Sequence, residues 1–281
     1  MSAVEAVEPS QPVLSVGPRA SVGRLPEVWT RRVLPWLLPL ALLGGWQLAS
    51  QLGWLSTRIL PEPWAVLKAF RVLAASGELW QHVATSTWRA FAGLAIGGGL
   101  GLLLGLATGS FRALEIALDS SLQMVRNIPP LAMIPLVILW FGIDEGAKLF
   151  LVAFGVFFPV YLNTFHGIRA VDPALIEMAR SYGLSGFALY RQVILPGALP
   201  SILVGLRFAL GLMWVLLIVA ETISAQSGIG YMTMNAREFL QTDVVLIGIL
   251  LYALLGKLAD LGAKALERWW LRWHPGYQPA P

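Results

Sequence analysis

No cysteine occurs in the 281 residues, so disulfides, thiolate metal sites and cysteine nucleophiles are all excluded. Charge is nearly as scarce: 13% of residues are charged against 57% hydrophobic, roughly half the charged share of an ordinary soluble domain. Mean hydropathy is +0.68. Such a composition marks a membrane protein, and spans of about 20 residues each leave little mass outside the bilayer for a catalytic domain. Catalytic motifs are missing as well. His82, His166 and His274 are the only histidines and fall in separate segments without metal-ligand spacing, and there is neither an HExxH pair nor a nucleophile elbow. Gly256-Lys257-Leu258 lacks the upstream glycine and the following Ser or Thr of a phosphate loop. These absences weigh against an enzyme and against any nucleotide, metal or cofactor site in the chain itself. The formal charge of +4 comes from basic residues scattered among apolar stretches, a distribution that sets orientation in a membrane rather than one that grips nucleic acid.

What is present is a series of uncharged or nearly uncharged stretches. Residues 1–30 show no helical or strand periodicity and read as a mobile tail on the cytoplasmic side, with a short tail at 276–281. Between them a membrane domain, residues 31–275, is expected to hold spans at about 33–53, 90–111, 115–142, 149–168, 201–220 and 244–264. The fold class is therefore all-α, a polytopic membrane protein of about six helices. Val66, Leu67, Phe70 and Leu73 form a helical stripe between the first two spans, suited to an outer-surface helix. Gly93, Gly97, Gly101, Gly105 and Gly109 recur every four residues in the second span, a spacing that lets a neighbouring backbone approach closely; packing is the expected role. Asn127 to Ile143 is short for a span and contains Pro129, Pro130 and Pro135, so its helix is expected to extend back past Arg126. Arg126 then lies in or near the bilayer, where it is a functional candidate, with snorkelling or a pair with Asp119 as the other readings. Arg207 is expected to snorkel, Lys257 and Asp260 to pair with each other, and residues 221–242 to form a polar re-entry or outer loop. With six spans both ends lie inside. Arg112, Arg169, Arg180, Arg191, Lys264, Arg268 and Arg272 then fall on the inner side with the amino-terminal arginines, while Arg89, Lys148 and Arg237 fall outside. Trp269, Trp270 and Trp273 suit an interfacial belt at the inner leaflet.

One polar island stands out, at residues 172–196. Asp172 is an N-cap, Pro173 suits the first helical turn and Gly183 the left-handed close, which bracket one short helix. Ser185 is placed to cap a second helix, which Pro196 helps to end. The pair makes a helix-turn-helix knob.

Within it Glu177, Ala179, Gly183, Leu195 and Pro196 match the cytoplasmic EAA loop of ATP-binding-cassette importer permeases, and the chain resembles such a permease. Asn127-Ile128-Pro129-Pro130, Trp140-Phe141-Gly142-Ile143-Asp144-Glu145 and Glu221-Thr222-Ile223-Ser224-Ala225 resemble the branch that includes aliphatic sulfonate, taurine and nitrate permeases, most nearly the aliphatic sulfonate member. Met178 stands where a second alanine is usual and Val193 where isoleucine is usual; both changes are apolar. The resemblance implies a permease subunit in a bacterial inner membrane, multi-pass in the lipid bilayer. It implies pairing with a second copy of itself, a dimer of cytoplasmic ATP-binding subunits that carry ATP and magnesium, and an external substrate-binding protein. It also implies transport by alternating access, with the knob transmitting the ATPase motion. In that role Glu177 and Arg180 offer polar contacts, Gly183 the turn, Leu184 an apolar contact in the partner groove and Pro196 a fixed exit; ordinary helix punctuation and a solvated helix face are the plainer readings of the same residues.

An anionic cargo favours positive charge and helix amino ends along its path, which Arg126 beside the proline-broken Asn127 segment can supply. Asn163, Met213, Trp214 and Glu221 are further pathway candidates, with helix packing as the plainer reading of the aromatic and Met positions. Two other classes are weaker. A passive channel rests on Gly228-Ile229-Gly230-Tyr231 without a filter's context, and a membrane-embedded enzyme lacks its catalytic cluster.

Overall fold

A computed structural model describes residues 34–56 and 59–273. The proposed tails at 1–30 and 276–281 lie outside them. The described chain is helical, with no strand among the described residues. Its elements are α1 (Leu34–Gln51), α2 (Pro63–Ser76), α3 (Glu78–Ser110), α4 (Arg112–Arg126), a 3-10 turn (Pro130–Met133), α5 (Ile134–Phe141), α6 (Glu145–Arg169), α7 (Pro173–Ser181), α8 (Gly186–Leu189), a π turn (Tyr190–Ile194), α9 (Leu195–Ser224), α10 (Ile229–Glu238) and α11 (Thr242–Trp270).

α6 is the axis of the bundle, held between α3 on one side and α9 on the other. The glycines of α3 make the first contact possible. A Cβ on Gly93 would stand 2.6 Å from Val152 Cγ1, and one on Gly101 would stand 2.5 Å from the Phe157 carbonyl oxygen. Gly97, Gly105 and Gly109 face Ala153, Thr164 and Ile168 in the same way, so all five glycines of the stripe lie on α6. Lipid provides no hydrophobic drive between spans, and close backbone approach gives the dispersion contact that holds them. On the opposite side Val156 and Val160 of α6 join Ala209, Met213 and Leu217 of α9 in the main core. A second core ties α2, the start of α3, α10 and α11 through Val66, Leu79, Ile229 and Ile247.

Among the described residues four helices are long and apolar enough to cross a membrane: Glu78–Ser110, Glu145–Arg169, Gly186–Ile223 and Thr242–Trp270. α4 and α5 make a fifth crossing only as a broken pair, bent by 80°. The expectation of one helix running past Arg126 is thus corrected: α4 stops at Arg126, because Pro129 and Pro130 remove the amide donors that would continue it. α1 is a further apolar helix, carrying Gln47, Ser50 and Gln51 in its last turns, and is not one of these four.

Two further expectations are revised. Pro196 does not end the helix that begins at Gly186; that helix runs through the π turn into α9, with the Leu195 amide bonded five residues back to the Tyr190 carbonyl. The wider turn absorbs the donor that proline lacks, as π-bulges do. Of the re-entry or outer loop expected at residues 221–242, the structure shows no extended loop: Glu221 is still in α9 and the short helix α10 occupies Ile229–Glu238.

Candidate functional site

The two ends of the bundle carry different polar constructions. At the end where α6 begins, a cluster of charges, three of its four members buried, gathers between five helices. Arg89 of α3 is 2% exposed. Its guanidinium makes a two-pronged bond to Glu145, with Nε to Oε2 and Nη2 to Oε1 both at 2.6 Å, and a third bond from Nη1 to Glu221 Oε1 at 2.7 Å. It also donates to the Ser227 carbonyl at 2.5 Å and hydroxyl at 3.0 Å. Glu221 is 1% exposed and accepts further bonds from Ser86 Oγ at 2.8 Å, the Gly230 amide at 2.9 Å and Tyr252 Oη at 3.1 Å. Lys148, also buried, reaches Glu145 at 3.3 Å. Two cations and two carboxylates therefore neutralise each other, the condition under which charge is tolerated in a bilayer interior.

The local sequence explains the geometry. Ser86 and Arg89 are three apart and share a face of α3. Gly228, at φ +110°, brings the chain so near Glu221 that a Cβ there would meet both carboxylate oxygens. The segment leading into α10 is also fastened from α3: the Gly228 amide donates to His82 Nδ1 at 3.1 Å and the Ile229 amide to Ser86 Oγ at 2.8 Å. α3, α6, α9, α10 and α11 thus meet at one carboxylate and one guanidinium. Hydropathy alone puts Arg89, Glu145 and Lys148 outside the membrane, since they flank the most apolar windows. The signal that points to the cluster is that both cations and both carboxylates fall inside or at the ends of otherwise apolar helices.

At the other end, residues 172–196 fold into the short helices α7 and α8, the π turn and the start of α9. Asp172 Oδ1 accepts from the Ala174 amide at 2.9 Å. Gly183 adopts φ +84°, with its amide on the Arg180 carbonyl and the Leu184 amide on the Ala179 carbonyl at 3.0 Å, the paired bonds of a Schellman close. Ser185 occupies the cap position of α8 without a side-chain bond to it, a correction to its expected role. Ala179 is buried, Leu184, Leu195 and Pro196 are half-buried, and Glu177 and Arg180 are exposed. The apolar side chains the knob presents to its surroundings are Leu175, Met178, Tyr182 and Phe187, the last two 82% and 77% exposed. Leu184, assigned as the apolar contact, is less exposed than these four; the knob's turn folds it inward.

The other candidates are dispersed. Met213 and Trp214 lie in the main core, and Trp214 stands edge-on to Tyr252, so both pack helices. Asn163 Nδ2 bonds back to the Pro159 carbonyl at 2.8 Å at the α6–α9 seam. Glu221 belongs to the buried cluster. Arg126 and Asn127 are exposed at the break after α4. Arg207 does not stand alone: it bonds Asp260 at 2.8 Å, and Asp260 also takes Lys264 at 2.9 Å in place of the expected Lys257. Lys264 lies one turn from Asp260 on α11, and Arg207 reaches it across the α9–α11 seam.

Comparison with known proteins adds a further finding. Residues 97–272 match the family model described as binding-protein-dependent transport system inner membrane component. An Escherichia coli (strain K12) permease named for aliphatic sulfonates transport, SsuC, is 68% identical over 249 residues, covering 89% of this chain and 95% of that protein. The taurine transport system permease TauC of the same organism is 39% identical over 83% of this chain and 86% of its own length. Among solved structures, an amino acid ABC transporter superposes with a TM-score of 0.53 at 19% identity over 70% of this chain and 97% of its own, a likeness of fold.

Proposed function

Because the chain belongs to the family of binding-protein-dependent transport system inner membrane components, we propose that it is the membrane-spanning subunit of an importer for aliphatic sulfonates. The observation that carries the cargo assignment is the 68% identity to the E. coli sulfonate permease across nearly its whole length, against 39% to the taurine permease.

In this reading the subunit sits in the inner membrane with both termini and the knob in the cytoplasm. Two copies pair in the bilayer, and each knob seats in a groove of an ATP-binding subunit. The exposed Leu175, Met178, Tyr182 and Phe187 fill the groove, Glu177 and Arg180 make its polar rim contacts, and Gly183 and Pro196 fix the turn and the start of α9. ATP and magnesium are held by the partner; closure of its dimer pushes the knobs and reorients the spans. An external binding protein delivers the sulfonate to the opposite face, where the Arg89–Lys148–Glu145–Glu221 cluster gives that face a rigid, charge-neutral support.

The test is growth of a bacterium deleted for its own sulfonate and taurine permeases, given this chain with its cognate ATPase and binding protein. Ethanesulfonate or butanesulfonate as sole sulfur source is expected to support growth that a partner ATPase defective in hydrolysis abolishes. Growth on taurine with none on alkanesulfonates overturns the cargo assignment, and uptake that persists without ATP hydrolysis overturns the importer.

A further inference from the structure

A cleft of about 520 Å³ opens between α3, α4, α5 and α6. Leu122 and Val125 of α4 form one wall, and Phe141, Phe150, Phe154 and Phe158 the other. The rings make a ladder, with centroids 5.3 Å apart for Phe141–Phe150, 5.9 Å for Phe150–Phe154 and 5.7 Å for Phe154–Phe158. At Leu122 and Phe158 the cleft adjoins a small crevice whose polar lining is Asp119, Gln123, Arg126 and His166. One continuous surface therefore passes from purely apolar to polar across two side chains.

The polar end follows from the sequence of α4. Asp119, Gln123 and Arg126 recur at helical spacing, no α4 residue is buried, and α4 is one half of the pair bent by 80°. Asp119 takes its bond from Gln123 Nε2 at 3.4 Å. Among the described residues Arg126 has neither a hydrogen-bond acceptor nor an ion-pair partner, whereas Arg89, Arg169 and Arg207 each have a carboxylate. A guanidinium whose donors no carboxylate occupies can take an oxyanion, and this one stands beside a cleft shaped for a chain.

We propose that this cleft is a subsite for an alkanesulfonate, with the Arg126 guanidinium on the sulfonate oxygens and the phenylalanine ladder along the alkyl tail. The proposal rests on the aliphatic sulfonate reading above. It accounts for a cargo that is both anionic and greasy: the planar five-donor fork holds an oxyanion head, and each methylene that enters the cleft strengthens binding by about fourfold. Losing the charge-assisted bonds weakens it by about 10- to 100-fold.

The absence of native cysteine permits a direct test. A Leu122→Cys chain, assembled with its ATPase in nanodiscs of zwitterionic lipid, is labelled with a maleimide in the presence of 1-hexanesulfonate, methanesulfonate or 1-hexanol. Hexanesulfonate is expected to protect the thiol at concentrations at least about 10-fold below methanesulfonate, hexanol is expected to protect weakly, and Arg126→Gln is expected to raise the protecting concentration about 10- to 100-fold. Arg126→Lys, which keeps the charge, is expected to lie between and serves as the folding control. Equal protection by hexanol, or protection indifferent to Arg126→Gln, overturns the subsite. Protection that disappears when acidic phospholipid is included assigns the cleft to lipid and overturns it too. Alkanesulfonate uptake without protection removes the subsite alone, whereas protection without alkanesulfonate uptake removes the transport reading and leaves an amphiphile site.

Discussion

Glu221 and Glu145 hold the same guanidinium but at different cost if lost. The Glu221 side chain has no exposure, and all its neighbours are donors that would be stranded without it; the Glu145 side chain is 58% exposed and has water as an alternative. Glu221→Gln should therefore destabilise the permease by about 3–5 kcal/mol, since it leaves Arg89 partly uncompensated in the interior. Glu145→Gln should cost about 1 kcal/mol or less. Thermal unfolding of the purified variants in detergent checks this ordering, and a larger loss for Glu145→Gln would show that the cluster is anchored at α6 instead. Neither role is legible in the sequence. A hydropathy window assigns Arg89 to the membrane edge because it weighs residues by composition, while the structure buries it because three separated segments supply its acceptors: Glu145, Glu221 and Ser227. Partners 56 to 138 residues away leave no local trace. Gly183 is the opposite case, because a left-handed close depends only on its immediate neighbours and can be read from them.

At the scale of helices, the glycines that recur every four residues in α3 all face α6, and this makes a paired prediction. Gly101→Val places side-chain carbon within 2.5 Å of the Phe157 carbonyl, so α3 must move off α6, at a cost of about 1–3 kcal/mol or more. Gly99, two residues away, has nothing within 4 Å of where a Cβ would stand, so Gly99→Ala should be neutral or slightly stabilising through helix propensity. Yield and unfolding temperature of the two variants in detergent distinguish the contact face from its neighbour, and equal losses would refute the assignment. The prolines are less transparent. Pro129 and Pro130 break α4 from α5 at 80°, Pro159 is carried inside α6, and Pro196 is absorbed by a π turn. A proline removes one donor in every case; whether the helix bends, kinks or widens depends on what surrounds the freed carbonyl, which is tertiary information.

For the molecule as a whole, the order of apolar segments and the place of the knob between the fourth and fifth of them can be read directly, because length and apolarity are properties of the chain alone. Which of the knob's side chains face outward cannot, since that depends on how α7 and α8 fold on each other: Tyr182 and Phe187 emerge and Ala179 and Leu184 turn in. Phe187→Asp and Glu177→Lys are accordingly expected to lower ATP-driven uptake by about tenfold or more while membrane insertion and thermal stability stay near those of the parent, because an exposed docking anchor contributes to binding and not to the fold. Parallel measurement of uptake, stimulated ATPase rate and membrane yield checks this, and full uptake in Phe187→Asp would mean that the partner grips elsewhere.

The uninterrupted course from Gly186 to Ile223 has a mechanical meaning. These 38 residues form a rod of about 57 Å that starts in the knob and stops two residues past Glu221. When the rod moves as one body, a tilt of about 10° about its midpoint shifts each tip by about 5 Å in opposite senses. The rod's far tip is the one bolted to Arg89, Ser86 and Tyr252, so a thrust received at Phe187 arrives there as a sideways pull on a single carboxylate. In the proposed importer, such a rod turns a stroke at the knob into a counter-stroke at the Glu221 end.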